Sequence, residues 1–263
     1  MHEICSDLRA EHQALDAVVS SLTDAQWRQP TPAAGWSIAD SVSHLWFFDQ
    51  RATMALDPAT VDAFHADTKN LMANTAAGVD PSVEVGRAIE PAALLANWRA
   101  DRERLIALAV TVDPSGRVPW YGPAMAARSF ITARLMETWA HGQDVRDSLG
   151  LAPEASGRLR HVAHIGVRAR PFAYATNQRD LPAGDIRVEL RSPDGETWAW
   201  GDETAPDRVV GDALDFCLVV TQRRHVDDTA LDVAGPLAAE WMSIAQAFAG
   251  PPGGGRRAGE FGS

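Results

Sequence analysis

Apolar residues recur with a period near 3.6 along much of the first 150 residues, as they do in helices that bury one face. Prolines and glycines interrupt this pattern and predict where the helices end. Four long helices with one elaborated connection are typical of an antiparallel-type bundle. The predicted helices are Glu3–Leu22, Ser37–Leu56, Ala92–Val110 and Ala124–Leu149, with shorter helical pieces around Val61–Thr75 in the connection.

Local signals mark the starts of two of these helices. Ser37 is followed three residues later by Asp40, which resembles a capping box with Asp in place of Glu or Gln. The fourth helix follows the segment DPSGRVPWYGP (Asp113–Pro123), whose prolines and glycines predict a loop. Trp120 and Tyr121 lie in this loop, where they either join the core or form the wall of a binding pocket.

The pattern changes after Gly150, where strands are mixed with helices. Alternating polar and apolar residues on both sides of Asp194–Gly195 predict a β-hairpin. Ala205–Val210 is predicted to be a further strand or a loop. The other predicted elements are a helix over Glu154–Thr176 interrupted near Pro171, a helix over Asp212–Arg223, a short strand over Leu231–Ala234 and a helix over Pro236–Phe248.

These patterns predict an α+β protein of two domains and a tail. Residues 1–150 form the helical bundle, and residues 151–250 form a smaller α+β domain. Residues 251–263 have the glycine-rich composition of a disordered end, whose last part, Glu260–Ser263, resembles a cloning scar.

Composition narrows the classes of partner. The net charge of −11 argues against a nucleic acid or an anionic membrane as the main partner. The longest apolar run, Phe216–Val220, is too short to span a bilayer, and Met1–Ala10 lacks the apolar run of a signal peptide. We therefore expect a cytoplasmic protein that acts on small molecules, and composition leaves its oligomeric state open.

Three titratable residues share one face of the fourth predicted helix. Glu137 and His141 are four residues apart, and Asp144 follows three residues after His141, with Arg134 one turn before Glu137. Unpaired carboxylates and imidazoles are costly inside a bundle, because desolvation costs several kcal/mol. A divalent metal would compensate them, and a simple hydrogen bond at the helix surface is the alternative.

His44 in the second predicted helix offers a third ligand. It lies on the inward side of that helix, next to Leu45. Three protein ligands leave one coordination position open, as in catalytic zinc sites. Asp144 is expected to orient His141 or to cap the helix end. The other histidines of the first half, His12 and His65, are predicted to lie at the surface.

The segments TPAAGWSIADSVSHL (31–45) and ARLMETWAHGQDVRDSLG (133–150) together resemble the DinB-like metal-dependent superfamily. The resemblance is closest to the branch that contains mycothiol-dependent maleylpyruvate isomerases, and within it to actinobacterial metal-binding proteins of unassigned reaction. It implies a DinB-like four-helix bundle followed by a sterol-carrier-like C-terminal domain. It also implies a metal triad of His44, Glu137 and His141. An arginine of the C-terminal domain, Arg223 or Arg224, would contribute to the active site.

Three functions are consistent with these residues. In the first, a zinc ion lowers the pKa of a low-molecular-weight thiol such as mycothiol, which then serves as cosubstrate in isomerisation or S-transfer. Arg134, Arg223 or Arg224 would hold a substrate carboxylate. In the second, the metal acts as a Lewis acid without a thiol. In the third, the protein is a carrier of an apolar ligand. Sites with two histidines and one glutamate also accept nickel or iron.

Overall fold

The computed structural model describes residues 1–261 of the chain, which fall into two compact units. The first unit comprises Met1–Pro153, and the second begins at Glu154. Among residues 1–261, no helix combines the length and the apolar character that crossing a bilayer requires.

The first unit is helical and contains the predicted bundle. Helices α3 and α1 each pack against both α6 and α7, so these four long helices close on one another. The predicted ends of these helices are correct to within three residues. The elements of residues 1–153 are α1 (His2–Val19), α2 (Asp24–Trp27), α3 (Ile38–Leu56), α4 (Val61–Ala76), α5 (Pro81–Arg87), α6 (Pro91–Ala109), β1 (Arg117–Val118), β2 (Met125–Ala126) and α7 (Ala127–Ser148).

The capping box at the start of α3 is confirmed. Ser37 Oγ accepts a hydrogen bond from the Asp40 amide at 3.2 Å, and Asp40 Oδ2 accepts one from the Ser37 amide at 2.8 Å. Asp40 also accepts hydrogen bonds from Arg87, at the end of α5, at 2.9 and 3.0 Å. The Asp40 side chain therefore stabilises the start of α3 and also connects α3 to α5.

Two predictions about the connections are wrong. The segment 61–75 forms one continuous helix, α4, whose only buried residue is Phe64, so its apolar period is too weak to reveal its length. The predicted loop Asp113–Pro123 contains β1, which pairs antiparallel with β2 and delays the start of α7 to Ala127. Strands of two residues carry no detectable alternation.

The core of the first unit lies between α1, α3, α6 and α7. It is built from large apolar side chains, all of them on the four long helices except Trp27 of α2. Its buried members are Leu15, Val19, Trp27, Ile38, Val42, Leu45, Trp46, Leu94, Leu95, Trp98 and Val145.

The second unit has a four-stranded sheet with helices, which confirms the α+β prediction. The strand order is β4-β3-β5-β6, with β3 and β5 parallel and both outer pairs antiparallel. The elements of residues 154–261 are α8 (Leu159–Arg168), α9 (Arg170–Thr176), β3 (Ile186–Arg191), β4 (Thr197–Trp200), β5 (Asp207–Asp212), α10 (Ala213–Val220), a 3-10 turn (Val226–Asp228), β6 (Asp232–Ala234) and α11 (Pro236–Ile244).

The structure shows the conformation of the segments of the second half that the sequence left open. The hairpin around Asp194–Gly195 joins β3 to β4, and the segment near Ala205 continues into strand β5 rather than a loop. The interruption in the predicted helix Glu154–Thr176 falls at Ala169, so that Pro171 lies in the first turn of α9.

The tail beyond Gly250 runs in an irregular conformation along the second unit. The side-chain amide of Gln246 donates to the carbonyls of Phe248, Gly250 and Pro251 at 3.1 to 3.3 Å. The Gly259 amide donates to Asp228 Oδ1 at 2.6 Å. Residues 262 and 263, part of the predicted cloning scar, lie outside the described residues.

Candidate metal centre

Helices α3 and α7 bring His44, Glu137 and His141 together. One ligand atom from each side chain lies within 4.8 Å of the other two. The imidazole centroids of His44 and His141 are 4.6 Å apart, and His141 Nε2 is 3.6 Å from Glu137 Oε2. The three side chains are buried or half-buried. Residues 93 positions apart in sequence thus converge because α3 and α7 pack directly on each other.

Each imidazole has a polar neighbour at Nδ1. His44 Nδ1 lies 2.9 Å from Ser82 Oγ, at the start of α5. His141 Nδ1 lies 3.5 Å from Oδ2 of Asp144, whose side chain is buried. Asp144 therefore sits on the side of the ring from which an orienting group acts on a metal ligand. Ser82 was missed by the sequence analysis.

Glu137 is held in its ionised form. Burial raises the pKa of this carboxyl group, but the contact with His141 and the positive charges of Arg134 and His44 outweigh that effect and lower its pKa to about 2. The charged form of a carboxylate is the form that binds a cation, and Glu137 keeps this form at neutral pH.

A divalent cation fits this set of donors. Two imidazole nitrogens and one carboxylate oxygen are ordinary ligands of zinc, nickel and iron. Their mutual separation, within 4.8 Å, is close to the span of about 4 Å that metal–ligand bonds of about 2.0–2.2 Å can bridge. Three ligands leave a coordination position for a small molecule.

Trp36 covers both imidazoles and was also missed by the sequence analysis. Its ring stacks on His141 at 5.6 Å, with an interplanar angle of 12°, and lies 5.0 Å from the ring of His44. Trp36 directly precedes Ser37, the capping residue of the helix that carries His44. A large aromatic residue directly before the cap of a ligand-bearing helix was the sequence signal that could have identified Trp36.

Trp120 and Tyr121 reach the triad through Phe48. The Phe48 ring lies 4.6 Å from His44, 6.1 Å from Trp120 and 5.7 Å from Tyr121. Both loop residues are half-buried, so each is part of an aromatic cluster and still exposes some surface. The Tyr121 hydroxyl has no hydrogen-bond partner among the described residues, and burial raises its pKa.

Arg134 is buried against a carboxylate of α3. Its Nε and Nη2 donate to Asp49 Oδ1 at 3.1 and 2.9 Å, and the Asp49 side chain is fully buried. Trp98 Nε1 donates to the other carboxylate oxygen at 3.3 Å. Arg134 and Asp49 therefore form a buried ion pair. Because the Arg134 guanidinium already donates to Asp49, this geometry does not favour the predicted contact of Arg134 with a substrate carboxylate.

His12 is the clearest error of the sequence analysis. It was assigned to the surface, but it is 0% exposed and its Nε2 lies 3.6 Å from Asp49 Oδ2. Burial, followed by the charges of Arg102 and Arg134, lowers its pKa well below the usual value. Its place on α1, among the apolar positions of that helix, should have indicated the core. His65 is exposed, as predicted.

Arg223 and Arg224 belong to the second unit, directly after α10. Arg223 Nη1 donates to the Thr221 carbonyl at 2.7 Å, and Arg224 Nη1 donates to the Arg223 carbonyl at 2.7 Å. The Arg224 guanidinium also lies 4.2 Å from the centroid of the Phe261 ring. The choice between the two arginines as a substrate-binding residue remains a prediction.

A helical bundle with two histidines and a glutamate on facing helices, followed by a small sheet-containing region, places the chain in the DinB-like class. The family model described as the mycothiol maleylpyruvate isomerase N-terminal domain matches residues 8–146. The chain belongs to this family, which confirms the resemblance seen in the sequence.

Two relatives and two solved structures extend this result. The uncharacterized proteins Rv0036c and MT0041, from two strains of Mycobacterium tuberculosis, are each 46% identical over 252 residues, which is 95% of this chain and 97% of theirs. The crystal structure of the mycothiol-dependent maleylpyruvate isomerase is similar with a TM-score of 0.56 at 13% identity, over 85% of this chain and 89% of that chain. A mutant of that enzyme gives a TM-score of 0.55 at 14% identity over the same shares. These structures show that the fold is shared.

Proposed function

We propose that this protein is a metal-dependent enzyme that uses a low-molecular-weight thiol, with mycothiol as the expected cosubstrate. His44, Glu137 and His141 would hold the ion, for which zinc is the first candidate. The substrate would be a small metabolite that carries a carboxylate or a carbonyl group, and the reaction would be isomerisation or S-transfer. The observation that carries this proposal is the convergence of three ligand atoms within 4.8 Å in a member of this family.

The bound ion would supply positive charge that lowers the pKa of a thiol into the neutral range. Residues of the chain would hold the ligands in place and shield the site. Glu137 stays ionised, because its pKa is about 2, and Asp144 holds the ring of His141 from the Nδ1 side. Trp36 and Phe48 lie against the two imidazoles and would exclude water from them.

The thiol chemistry balances without an oxidant or a reductant. A thiolate adds to one carbon of an activated alkene, the resulting single bond rotates, and the thiolate leaves. The double bond then returns with the opposite geometry, and the thiol is regenerated. In S-transfer the thiolate instead displaces a leaving group and stays attached to the substrate. Arg223 or Arg224 would bind the substrate carboxylate through paired hydrogen bonds.

Metal content tests the triad. Wild type, His44→Ala, Glu137→Gln and the control His65→Ala would be loaded with zinc, dialysed and measured by elemental analysis. We expect about one ion per chain in wild type and in His65→Ala, because His65 is exposed and is not one of the three proposed ligands. Loss of the ion in the other two variants supports the site, and full occupancy in them refutes it.

The role of the thiol is tested with the metal-loaded protein. Turnover of cis alkenes that carry a carboxylate would be followed with mycothiol and in rigorously thiol-free buffer. Dependence on mycothiol supports the proposal. Equal turnover without thiol would replace it with Lewis-acid chemistry, and tight binding of an apolar ligand without any turnover would replace it with the carrier function.

A further inference from the structure

We propose that Ser82 and Asp80 fix the tautomer of His44, so that Nδ1 carries the proton and Nε2 is the atom that binds the metal. The inference rests on the proposed metal site, and it names two positioning residues outside the triad. Neither residue was singled out by the sequence pattern. Both come from the short helix α5 and the residue that caps it.

The position of one proton, that of the Ser82 hydroxyl, sets the tautomer of His44. Ser82 Oγ lies 2.6 Å from Asp80 Oδ1 and 2.9 Å from His44 Nδ1. An ionised carboxylate can only accept hydrogen bonds, so the single hydroxyl proton of Ser82 points to Asp80. The Ser82 oxygen must then accept the second hydrogen bond, which requires a proton on His44 Nδ1. In a neutral imidazole this leaves a lone pair on Nε2.

The hydroxyl group is held in place by the packing of α5 on α3. Ser82 is 0% exposed, and its amide donates to Asp80 Oδ1 at 3.0 Å. Ser43, the neighbour of His44 on α3, donates its hydroxyl to the Ser82 carbonyl at 2.5 Å. Gly86 permits this approach, since a Cβ there would lie 2.3 Å from the Ser43 side chain. These contacts therefore hold the Ser82 hydroxyl next to His44 Nδ1.

The two histidines of the triad are thus supported in different ways. His141 faces a carboxylate, Asp144, at Nδ1, whereas His44 faces a hydroxyl group backed by a carboxylate. Such outer partners of metal ligands set the tautomer and the orientation of the ring, and their loss lowers metal affinity about 10–100-fold.

The tautomer is read in the metal-free protein, so the test does not need an active enzyme. Long-range ¹H–¹⁵N correlation spectra of histidine-labelled protein at about pH 8 report which nitrogen of a neutral imidazole is protonated. The His44 signals are identified by their absence in His44→Gln. We expect the Nδ1–H form in wild type and a shift toward the Nε2–H form in Ser82→Ala.

A second variant keeps the Ser82 hydroxyl and changes only its direction. Asp80 is exposed, so Asp80→Ala should fold, although it removes a helix cap. Without Asp80 the Ser82 hydroxyl is free to donate to His44 Nδ1, which also favours the Nε2–H form. Arg87→Met is the matched control, because it removes the contact of α5 with Asp40 of α3 without touching Ser82 or the imidazole, and it should keep the Nδ1–H form.

Zinc affinity, measured by competition with a chelator, gives the second readout. Ser82→Ala should bind zinc about 10–100-fold more weakly than wild type, and Arg87→Met should bind it as wild type does. Unchanged tautomer signals in both Ser82→Ala and Asp80→Ala would overturn the inference. If wild type binds no zinc while the tautomer still responds to these variants, the proposed function fails and the positioning of His44 stands.

Discussion

Removal of the Arg134 side chain should destabilise the first unit strongly. In Arg134→Met the Asp49 carboxylate remains fully buried, with the Trp98 indole at 3.3 Å as a donor and His12 Nε2 at 3.6 Å. Breaking a buried pair by removing one partner costs about 3–5 kcal/mol, because it leaves an uncompensated charge. We expect the free energy of unfolding to fall by that amount.

The cost should depend on pH with a defined sign. Burial raises the pKa of Asp49, although Arg134 and Trp98 act to lower it. Without Arg134 this pKa rises further, so the folded variant retains a proton on Asp49 that the unfolded chain releases. The loss of stability should therefore be smaller as the pH approaches the usual aspartate pKa of about 3.9 than at neutral pH.

Urea unfolding followed by circular dichroism measures this loss, with two companion variants. Arg9→Met breaks the exposed pair with Glu103, whose side chains are 42% and 50% exposed, and should cost no more than about 1 kcal/mol. The double variant Arg134→Met/Asp49→Asn removes the stranded charge and should recover part of the stability. A loss below about 1 kcal/mol in Arg134→Met would refute the reasoning, and a raised KM at unchanged stability would return Arg134 to substrate binding.

Three further predictions concern other buried groups. Because the pKa of His12 is lowered well below 6.5, the unfolded chain binds more protons as pH falls below 6.5, so stability should drop by up to about 1.4 kcal/mol per pH unit. Urea midpoints across this range should show that slope, and His12→Leu should flatten it. Gly86→Ala should lower the thermal midpoint by the equivalent of about 1–3 kcal/mol, since its Cβ would lie 2.3 Å from the Ser43 side chain; unchanged melting would contradict this packing. Tyr121→Phe should keep or slightly raise the melting temperature, because the Tyr121 hydroxyl is buried without a hydrogen-bond partner among the described residues. A clear drop in melting temperature would reveal a hidden partner.

Local signals in the sequence were sufficient for much of the helical unit. Ser37 and Asp40 make the capping box because each acts on a residue three positions away, which is visible in any single sequence. Glu137 and His141 share a helix face for the same reason. The approach of His44 to them depended on two helices packing together, and the resemblance to a known family supplied that step.

The features that were missed depend on distant contacts. Ser82 reaches His44 across 38 residues, and no local pattern distinguishes it from other serines that begin a helix. Trp36 stacks on His141 from more than a hundred residues away. The burial of His12 was readable from its position on the apolar face of α1, but its partner, Asp49, leaves no local signal in the sequence.

The parallel pairing of β3 with β5 has a consequence for how the second unit acquires its structure. Strand β4 lies between them in sequence but pairs on the outer side of β3, so β3 and β5 are not neighbours along the chain. Non-local pairings of this kind slow the search for the native arrangement, whereas helices form from neighbours along the chain. We expect the pairing of β5 with β3 to form after the local β3–β4 hairpin.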